Sequence, residues 1–308
     1  MKDAYIVSGF RSPVGKAKKG GLRFIRPDDL AAKVIKGLVK KTKGLEGKMV
    51  DDLIVGNAVP EAEQGMQMAR YISLLSLPKE VPGLIINRYC GSGLEAIHLA
   101  CAKINSGSAE CVIAGGTESM SMVPMTGYKS ALNYNISNTN PEYYLNMGLT
   151  AEKLALKYKI TREESDLFSY NSHQKAINAI EKNLFKNEIL PIDVDEITVV
   201  NGKKTTSKWT VEKDEGPRKN TTVEALSKLK PAFKPKPQLT FTEFIQICYT
   251  NNLKFFQFFD EYEWTGPAIK VPEHAYDTTI KLFNCDDTLV LPGYGFSIIR
   301  PVIKMSDE

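Results

Sequence analysis

The sequence has few of the features that mark a metal site or a disulfide framework. Its cysteines stand at irregular spacings, with no Cys-x-x-Cys pair and no cluster of cysteine with histidine. The five cysteines are Cys90, Cys101, Cys111, Cys248 and Cys285. An odd number of scattered thiols indicates neither a zinc site nor a disulfide scaffold, and it is typical of a reducing compartment.

Long apolar runs are also missing. No stretch is long and apolar enough to span a bilayer. The first residues lead into a strand-like run without the apolar region of a signal peptide or the Arg/Ser-rich character of a transit peptide. We therefore expect a cytoplasmic protein with no membrane partner.

A strong charge of one sign is likewise absent. The formal net charge is +4 over 308 residues, and 43% of residues are hydrophobic while 25% are charged. Such a balance is ordinary for a globular protein and argues against nucleic-acid binding as the main function. The length is sufficient for two domains.

Short apolar strands alternate with helical segments over the first 120 residues. Strands are expected at 4–10, 51–60, 81–90 and 110–120, and helices at 27–42, 67–77 and 93–104. This βαβαβ order predicts an α/β fold with a mixed, largely parallel sheet flanked by helices.

The character of the chain changes twice after this unit. Residues 121–233 read as an inserted α+β subdomain with helices at 150–159 and 161–185, the second preceded by a capping box of Thr161 and Glu164. Residues 234–308 begin with a linker-like KPKPQ, continue through an aromatic-rich stretch and end in strand-like sequence. The predicted domains are therefore 1–120, 121–233 and an atypical tail, 234–308.

Cys90 stands among glycines in "LIINRYCGSGLEAIHLAC", where a predicted strand turns into a helix. A helix N-terminus carries partial positive charge, which favours a thiolate. Gly91 and Gly93 would let a substrate carbonyl approach, and nearby N–H groups could stabilise an oxyanion. The residues thus suit a nucleophile that forms a thioester. The alternative is a small buried hydrophobe, which we keep for Cys101 and Cys111.

The segment "NRYCGSGLEAIHLA" closely resembles the nucleophile region of thiolases, the acetyl-CoA acyltransferases. Further matching motifs occur in the family's order over residues 1–233: "AYIVSGFRSPVGK", "VGNAVPEAEQGMQMAR", "VIAGGTESMS", "NMGLTAEKLA" and "DEGPRKNTTVEALSKLKPAF". The resemblance implies a thiolase-like N-terminal domain with Cys90 as the nucleophile. It leaves 234–308 unmatched.

What the resemblance implies is acyl transfer between 3-ketoacyl-CoA and CoA, in the degradative direction of fatty acid β-oxidation or in reverse. Coenzyme A would be the cosubstrate, with no permanently bound cofactor and no metal. Residues 121–233 would hold CoA through Arg218, on its nucleotide, and Met147, along its pantetheine channel. Asn146 and Ala225 differ from the histidine and serine that many biosynthetic members carry. Members are usually dimers or tetramers, so a homo-oligomer is expected.

The family's second half is not found after Phe233. That half supplies an Asn-Ser-Ser/Ala loop, a Gly-His-Pro histidine and a Cys-x-Gly cysteine. Neither His98, on the helix after Cys90, nor His173 and His274 has the Gly-His-Pro context. Two functions therefore stay open. The chain is a thiolase-type acyltransferase, or it is an incomplete remnant that binds CoA or associates with intact subunits. A related ketoacyl synthase is less favoured by the loop motifs.

Overall fold

The computed structural model describes residues 3–200, 203–233, 288–293 and 296–301. The chain divides into two compact units. The first comprises Met1–Tyr128 with Asn171–Asn220, and the second comprises Lys129–Tyr170 with Thr221–Glu308. The domain boundaries that the sequence predicts, after residues 120 and 233, are not tested by this division and stay a prediction.

The first unit is built on a three-stranded parallel sheet. Its strands are β1 (Asp52–Gly56), β2 (Gly83–Ile86) and β3 (Val112–Gly116), in the order β2-β1-β3. In register, Leu53 of β1 lies opposite Gly83 on one side and Ile113 on the other. All five residues of β1 are buried, as expected for a central strand covered on both faces.

Three helices cover this sheet: α1 (Pro27–Lys41), α2 (Met68–Ser76) and α3 (Ser92–Asn105). One cluster joins Leu53 and Val55 to apolar residues of α1 and α2, while Ile54 packs with Ala96 and Ala100 of α3. Since successive strand residues point to opposite faces, α3 lies on one face and the other two helices on the other. The predicted α/β class, a parallel sheet flanked by helices, is confirmed.

Helix α1 follows the predicted charge pattern. Asp28 and Asp29 lie in its first turn, and Lys40 and Lys41 lie in its last turn, where each sign is favoured by the helix dipole. Pro27 occupies the first helical turn, where a missing N–H costs nothing.

The predicted strand at residues 4–10 is wrong for this structure. Residues 4–10 have no strand assignment, and Tyr5, Ile6 and Val7 are 77%, 82% and 84% exposed. The apolar composition is that of a strand, but a strand needs a neighbour to satisfy its backbone groups. Among the described residues, this segment pairs with none of the strands of the sheet.

An antiparallel hairpin completes the first unit. Strands β4 (Ile192–Val200) and β5 (Lys203–Val211) pair along their length. A second apolar cluster packs Ile192, Val194 and Val211 against Leu22. The hairpin therefore anchors the chain that precedes α1.

The second unit contains the short helices α4 (Tyr134–Thr139) and α7 (Val223–Ser227) and the longer α5 (Met147–Tyr158). Helix α6 (Arg162–Glu181) begins in this unit and ends in the first. Its predicted capping box is confirmed. The N–H of Thr161 donates to Glu164 Oε2 at 2.8 Å, and the N–H of Glu164 donates to Thr161 Oγ1 at 3.1 Å.

In the C-terminal region, β6 (Thr288–Gly293) and β7 (Phe296–Pro301) pair antiparallel, in agreement with the strand-like sequence there. The linker-like KPKPQ, the aromatic-rich stretch, Cys248, Cys285 and His274 lie outside the described residues. In the described part of the chain, no helix is both long and apolar enough to cross a membrane.

Candidate active site

Two glycines bring the start of α3 against the carboxyl ends of the sheet strands. A Cβ on Gly56 would lie 2.4 Å from the carbonyl carbon of Ser92 and 2.6 Å from the nitrogen of Gly93. A Cβ on Gly116 would lie 3.6 Å from the Cα of Gly93. The absence of side chains at β1 and β3 therefore lets the first turn of α3 sit directly on the edge where parallel sheets bind ligands.

The turn before α3, residues 87–92, is held by its own hydrogen bonds, and we call it the Cys90 turn. Asn87 Oδ1 accepts from the N–H of Tyr89 at 2.8 Å. Ser92 Oγ accepts from the N–H of Arg88 at 2.8 Å and donates to the carbonyl of Tyr89 at 2.5 Å. Ser92 is buried, so its hydroxyl fixes the turn from inside. Sequence reasoning missed this residue, although it is the serine of the quoted Gly-Ser-Gly.

Tyr89 stores backbone strain immediately before the cysteine. Its φ is +46°, in the left-handed region that non-glycine residues rarely occupy. Such strain persists only where surrounding bonds over-determine the conformation, and it often accompanies functional sites. Cys90 follows this residue, is exposed and directly precedes Gly91, the N-cap of α3. The structure thus places the sulfur where the sequence predicts it, at the start of a helix.

Two of the N–H groups near Cys90, which the sequence predicts as oxyanion donors, are already hydrogen-bonded within the Cys90 turn. The N–H of Gly91 donates to the carbonyl of Arg88, and that of Ser92 donates to the carbonyl of Tyr89, both at 3.0 Å. Those two groups are occupied by the turn and are not available to a substrate. Helix α3 has no side-chain cap, so no capping side chain occupies the remaining N–H groups of its first turn.

Beside this turn, a polar network fills the carboxyl edge of β1 and β3. Glu118 accepts from Asn57 Nδ2 at 3.0 Å and Gln64 Nε2 at 2.7 Å, and Gln64 Oε1 accepts from the N–H of Ser119 at 2.5 Å. Asn57 and Gln64 are almost fully buried. The sequence predicted no role for these residues, and their location in the motifs "VGNAVPEAEQ" and "GGTES" was the available signal.

The described histidines do not approach Cys90. The His98 side chain is 76% exposed and its Nδ1 lies 3.9 Å from Glu95 Oε1, so it belongs to the surface of α3 and not to the core. His173, on α6, accepts a hydrogen bond at Nδ1 from the N–H of Arg218 at 3.1 Å. Within the described residues, Cys90 therefore has no histidine base.

Arg218, the predicted CoA nucleotide contact, lies exposed on the loop after β5. In the described part of the chain its guanidinium forms no ion pair, while its backbone is held by His173. The next residue, Lys219, is paired with Glu181 Oε1 at 2.8 Å. This arrangement leaves the guanidinium available for an anion.

The same loop is fastened to the N-terminal region by two carboxylates. Asp214 accepts from Arg11 Nη1 at 2.7 Å and Nη2 at 3.0 Å, and from the N–H of Val14 at 2.8 Å. Glu215 accepts from the N–H groups of Lys16 and Gly21, each at 2.8 Å. The hydrogen bond from Arg11 lowers the pKa of Asp214, and the Asp214 carboxylate raises the pKa of Arg11.

Met147, the predicted pantetheine contact, is the first residue of α5 and is 67% exposed. It belongs to the second unit, whereas Arg218 belongs to the first. Asn146, which stands where many biosynthetic relatives have histidine, is the N-cap of α5. Its Oδ1 accepts from the N–H of Leu149 at 2.8 Å. The departure from the family pattern thus has a local structural role.

The other described cysteines are less accessible. Cys101, on α3, and Cys111 are both partly buried, and Cys111 lies just before β3 rather than within it. Burial raises the pKa of Cys111, and the nearby carboxylate of Asp51 raises it further. Exposure therefore distinguishes Cys90 from both.

Comparison with known proteins gives a consistent result. Residues 4–248 match the family described as "Thiolase, N-terminal domain". The 3-ketoacyl-CoA thiolase of Bacillus subtilis is 49% identical over 235 residues, covering 76% of this chain and 60% of the relative. The acetyl-CoA acetyltransferase of Pseudomonas aeruginosa is 39% identical over 255 residues, covering 78% and 62%.

The solved structure of the Bacillus anthracis acetyl-CoA acetyltransferase has a similar fold. It aligns with a TM-score of 0.64 at 33% identity, covering 76% of this chain and 60% of that one. The chain therefore spans about 60% of the length of the relatives it matches. The family match reaches residue 248, a little beyond the end of the quoted motifs at 233.

Proposed function

Because this chain belongs to the thiolase family, we propose that it carries the nucleophile of a thiolase-type acyltransferase acting on acyl-CoA and 3-ketoacyl-CoA. The observation that supports this most directly is the exposed Cys90 at the start of α3, on the carboxyl edge of the sheet. A thiol there meets the helix dipole and lies open to a thioester. The relatives named as 3-ketoacyl-CoA thiolases support the same substrate class.

In the proposed reaction, the Cys90 sulfur bonds to the keto carbon of a 3-ketoacyl-CoA. The bond between that carbon and the α-carbon breaks, and the α-carbon takes up a proton as acetyl-CoA leaves. The thiolate of free CoA then attacks the acyl-cysteine, which restores the Cys90 thiolate and yields a shortened acyl-CoA. No described histidine contacts Cys90, so the described residues offer no histidine base for these steps.

CoA, the proposed cosubstrate, would be held by residues 121–233. The guanidinium of Arg218, which forms no ion pair with the described residues, suits a phosphate or adenine, and the exposed thioether of Met147 suits the pantetheine arm. We further propose a cytoplasmic homo-oligomer, a dimer or tetramer, that serves β-oxidation.

The acyl intermediate provides the test. The protein is incubated with acetoacetyl-CoA, quenched and digested, and the Cys90 peptide is examined by mass spectrometry for an acetyl thioester. We expect a hydroxylamine-sensitive adduct on wild type and none on Cys90→Ala. Cys111→Ala is the matched control and keeps the adduct, since that thiol is partly buried. Absence of any Cys90 adduct at saturating substrate would overturn the proposal for this chain.

A second candidate is favoured because no described histidine contacts Cys90. The chain would then bind CoA or associate with intact subunits without turning over substrate. Calorimetric titration with CoA separates the two functions. Binding that is weakened by Arg218→Ala but leaves Cys90 unmodified by acetoacetyl-CoA fits the second candidate alone.

A further inference from the structure

A line of hydrogen bonds joins the carboxyl ends of the three parallel strands and ends in the Cys90 turn. Glu118, two residues after β3, accepts at Oε2 from the N–H of Ala58 at 2.7 Å. Ala58 lies two residues after β1, and its carbonyl accepts from Asn87 Nδ2 at 2.9 Å. Asn87 directly follows β2, and its Oδ1 accepts from the N–H of Tyr89 at 2.8 Å. We call this line of bonds the strand-end link.

The Glu118 end of the strand-end link is anchored in buried groups. The Glu118 carboxylate also accepts from Asn57 Nδ2 at 3.0 Å and from Gln64 Nε2 at 2.7 Å. Asn57 and Gln64 are 1% and 0% exposed, so both amides are held in place by packing. All three partners of Glu118 are donors, and an ionised carboxylate accepts at both oxygens without donating. The residue type therefore matches the demands of its position.

The other end of the strand-end link holds the strained residue before Cys90. Tyr89 has a φ of +46° and is 75% exposed, so its side chain contributes little packing that would fix this conformation. Its N–H bonds to Asn87, whose amide is in turn held by Ala58. An Asn87 side chain free to rotate would lose conformational entropy whenever it bonded to Tyr89, so it would hold Tyr89 less firmly. The position of Cys90 therefore depends on the whole link.

We infer that Glu118 is a positioning residue for Cys90, which acts on the Cys90 turn through Ala58 and Asn87. With the strand-end link intact, the turn keeps the sulfur at the N-terminus of α3. With the link broken, Tyr89 relaxes to a negative φ and the sulfur leaves that position. The inference rests on the proposed function only in taking Cys90 as the nucleophile. The measurements that test it follow the turn itself, so they can fail while an acyl adduct still forms on Cys90, or succeed while none does.

The first measurement is the rate constant for modification of Cys90 by iodoacetamide in the folded protein, followed by mass spectrometry of the Cys90 peptide. Glu118→Ala should lower it about fivefold, which corresponds to the loss of one hydrogen bond. The reason is that the sulfur leaves the helix N-terminus, which favours the reactive thiolate. Amide exchange at Tyr89 should become faster by a similar factor, although Glu118 bonds to Ala58 and not to Tyr89.

A conservative variant separates positioning from stability. In Glu118→Gln, the amide oxygen should face the two donors Asn57 and Ala58, which leaves the NH2 group against Gln64 Nε2. This orientation keeps the strand-end link but loses the bond to Gln64. Glu118→Gln should therefore be less stable than wild type to urea, while Cys90 is alkylated within about twofold of the wild-type rate. A purely structural role predicts instead that alkylation falls together with stability.

Glu61→Ala is the matched control for Glu118→Ala. Glu61 also accepts from a backbone N–H, that of Tyr128 at 2.6 Å, but it is not part of the strand-end link. Its replacement should leave both the alkylation of Cys90 and the exchange at Tyr89 as in wild type.

A double-mutant cycle completes the test. Asn87→Ala breaks the strand-end link at an exposed residue, so the variant should fold and should slow alkylation as Glu118→Ala does. Adding Glu118→Ala to Asn87→Ala should then have no further effect on alkylation, because both act through one link. Additive effects, unchanged exchange at Tyr89 in Glu118→Ala, or slow alkylation in Glu118→Gln would each overturn the inference. If Glu118→Ala does not fold, a wild-type alkylation rate in Asn87→Ala overturns it alone.

Discussion

Two segments of the first unit, both predicted from local pattern, behave differently. The Cys90 turn, residues 87–92, forms as predicted, while the N-terminal segment, residues 4–10, does not form its strand. The three bonds that fix the Cys90 turn from within join residues at most four positions apart. One longer bond, from Asn87 Nδ2 to the carbonyl of Ala58 at 2.9 Å, ties the turn to the segment after β1. The N-terminal segment would need a neighbouring strand to supply its bonds. A turn is therefore specified by its own sequence, whereas a strand is specified jointly with its partner.

The position of the Cys90 turn depends most strongly on the close approach between Gly56 of β1 and the first turn of α3. Replacing Gly56 with alanine puts a Cβ 2.4–2.6 Å from the backbone of Ser92 and Gly93, so α3 must shift. We expect the free energy of unfolding to fall by about 2 kcal/mol or more, measured by urea denaturation. The rate at which iodoacetamide modifies Cys90 should change as well, because the Cys90 turn moves with α3.

Gly115→Ala is the matched control for Gly56→Ala, since its Cβ meets no atom within 4 Å. It should keep both the stability and the alkylation rate within error. If Gly56→Ala behaved like this control, the position of α3 would not depend on that glycine.

The next largest effect is expected at Ser92. Ser92→Ala removes the hydroxyl that accepts from the N–H of Arg88 and donates to the carbonyl of Tyr89, so both backbone groups lose this hydrogen bond. Loss of a buried hydrogen-bonding group costs about 1–3 kcal/mol. Urea denaturation should detect this loss, whereas Ser108→Ala, at an exposed serine, should stay within about 0.5 kcal/mol of wild type. Equal stability of the two variants would contradict a structural role for the Ser92 hydroxyl.

A smaller, pH-dependent effect is expected for the ion pair that fastens the loop of Arg218. Because the pKa of Asp214 is lowered in the folded protein, its stabilisation is complete above the ordinary aspartate value of 3.8 and is lost as the pH falls through the lowered pKa. Asp214→Asn should cost about 1–2 kcal/mol near neutral pH, since Arg11 is about one-third exposed. Urea denaturation as a function of pH should show that the difference in free energy of unfolding between wild type and Asp214→Asn becomes smaller below pH 3.8.

Asp195→Asn is the control for this pair. Asp195 Oδ1 lies 3.6 Å from Lys208 Nζ, and both side chains are more than 60% exposed. Asp195→Asn should therefore change the free energy of unfolding by no more than about 0.5 kcal/mol. If the difference in free energy of unfolding between wild type and Asp214→Asn stayed constant down to low pH, the charge of the Asp214 carboxylate would not be what stabilises the loop.

The sequence predicts the elements whose bonds are local and misses those that depend on distant residues. Helix α1, the capping box of Thr161 and the turn at Cys90 follow from residues within a few positions of one another. The bond from Arg11 to Asp214 spans 203 positions, and no periodicity indicates such a pairing. The network around Glu118 joins residues about 60 positions apart, and the sequence indicated its members only as polar residues within the quoted motifs.

The smallest effect in the isolated chain is expected in the N-terminal segment. Ile6→Thr changes a side chain that is 82% exposed, so the free energy of unfolding should change by less than about 0.5 kcal/mol. Ile197→Thr, at an isoleucine of β4 that is 58% exposed, is the matched control and should give an equally small change. A substantial loss of stability for Ile6→Thr alone would instead mean that residues 4–10 are packed against the rest of the chain, and the difference between this segment and the Cys90 turn would disappear.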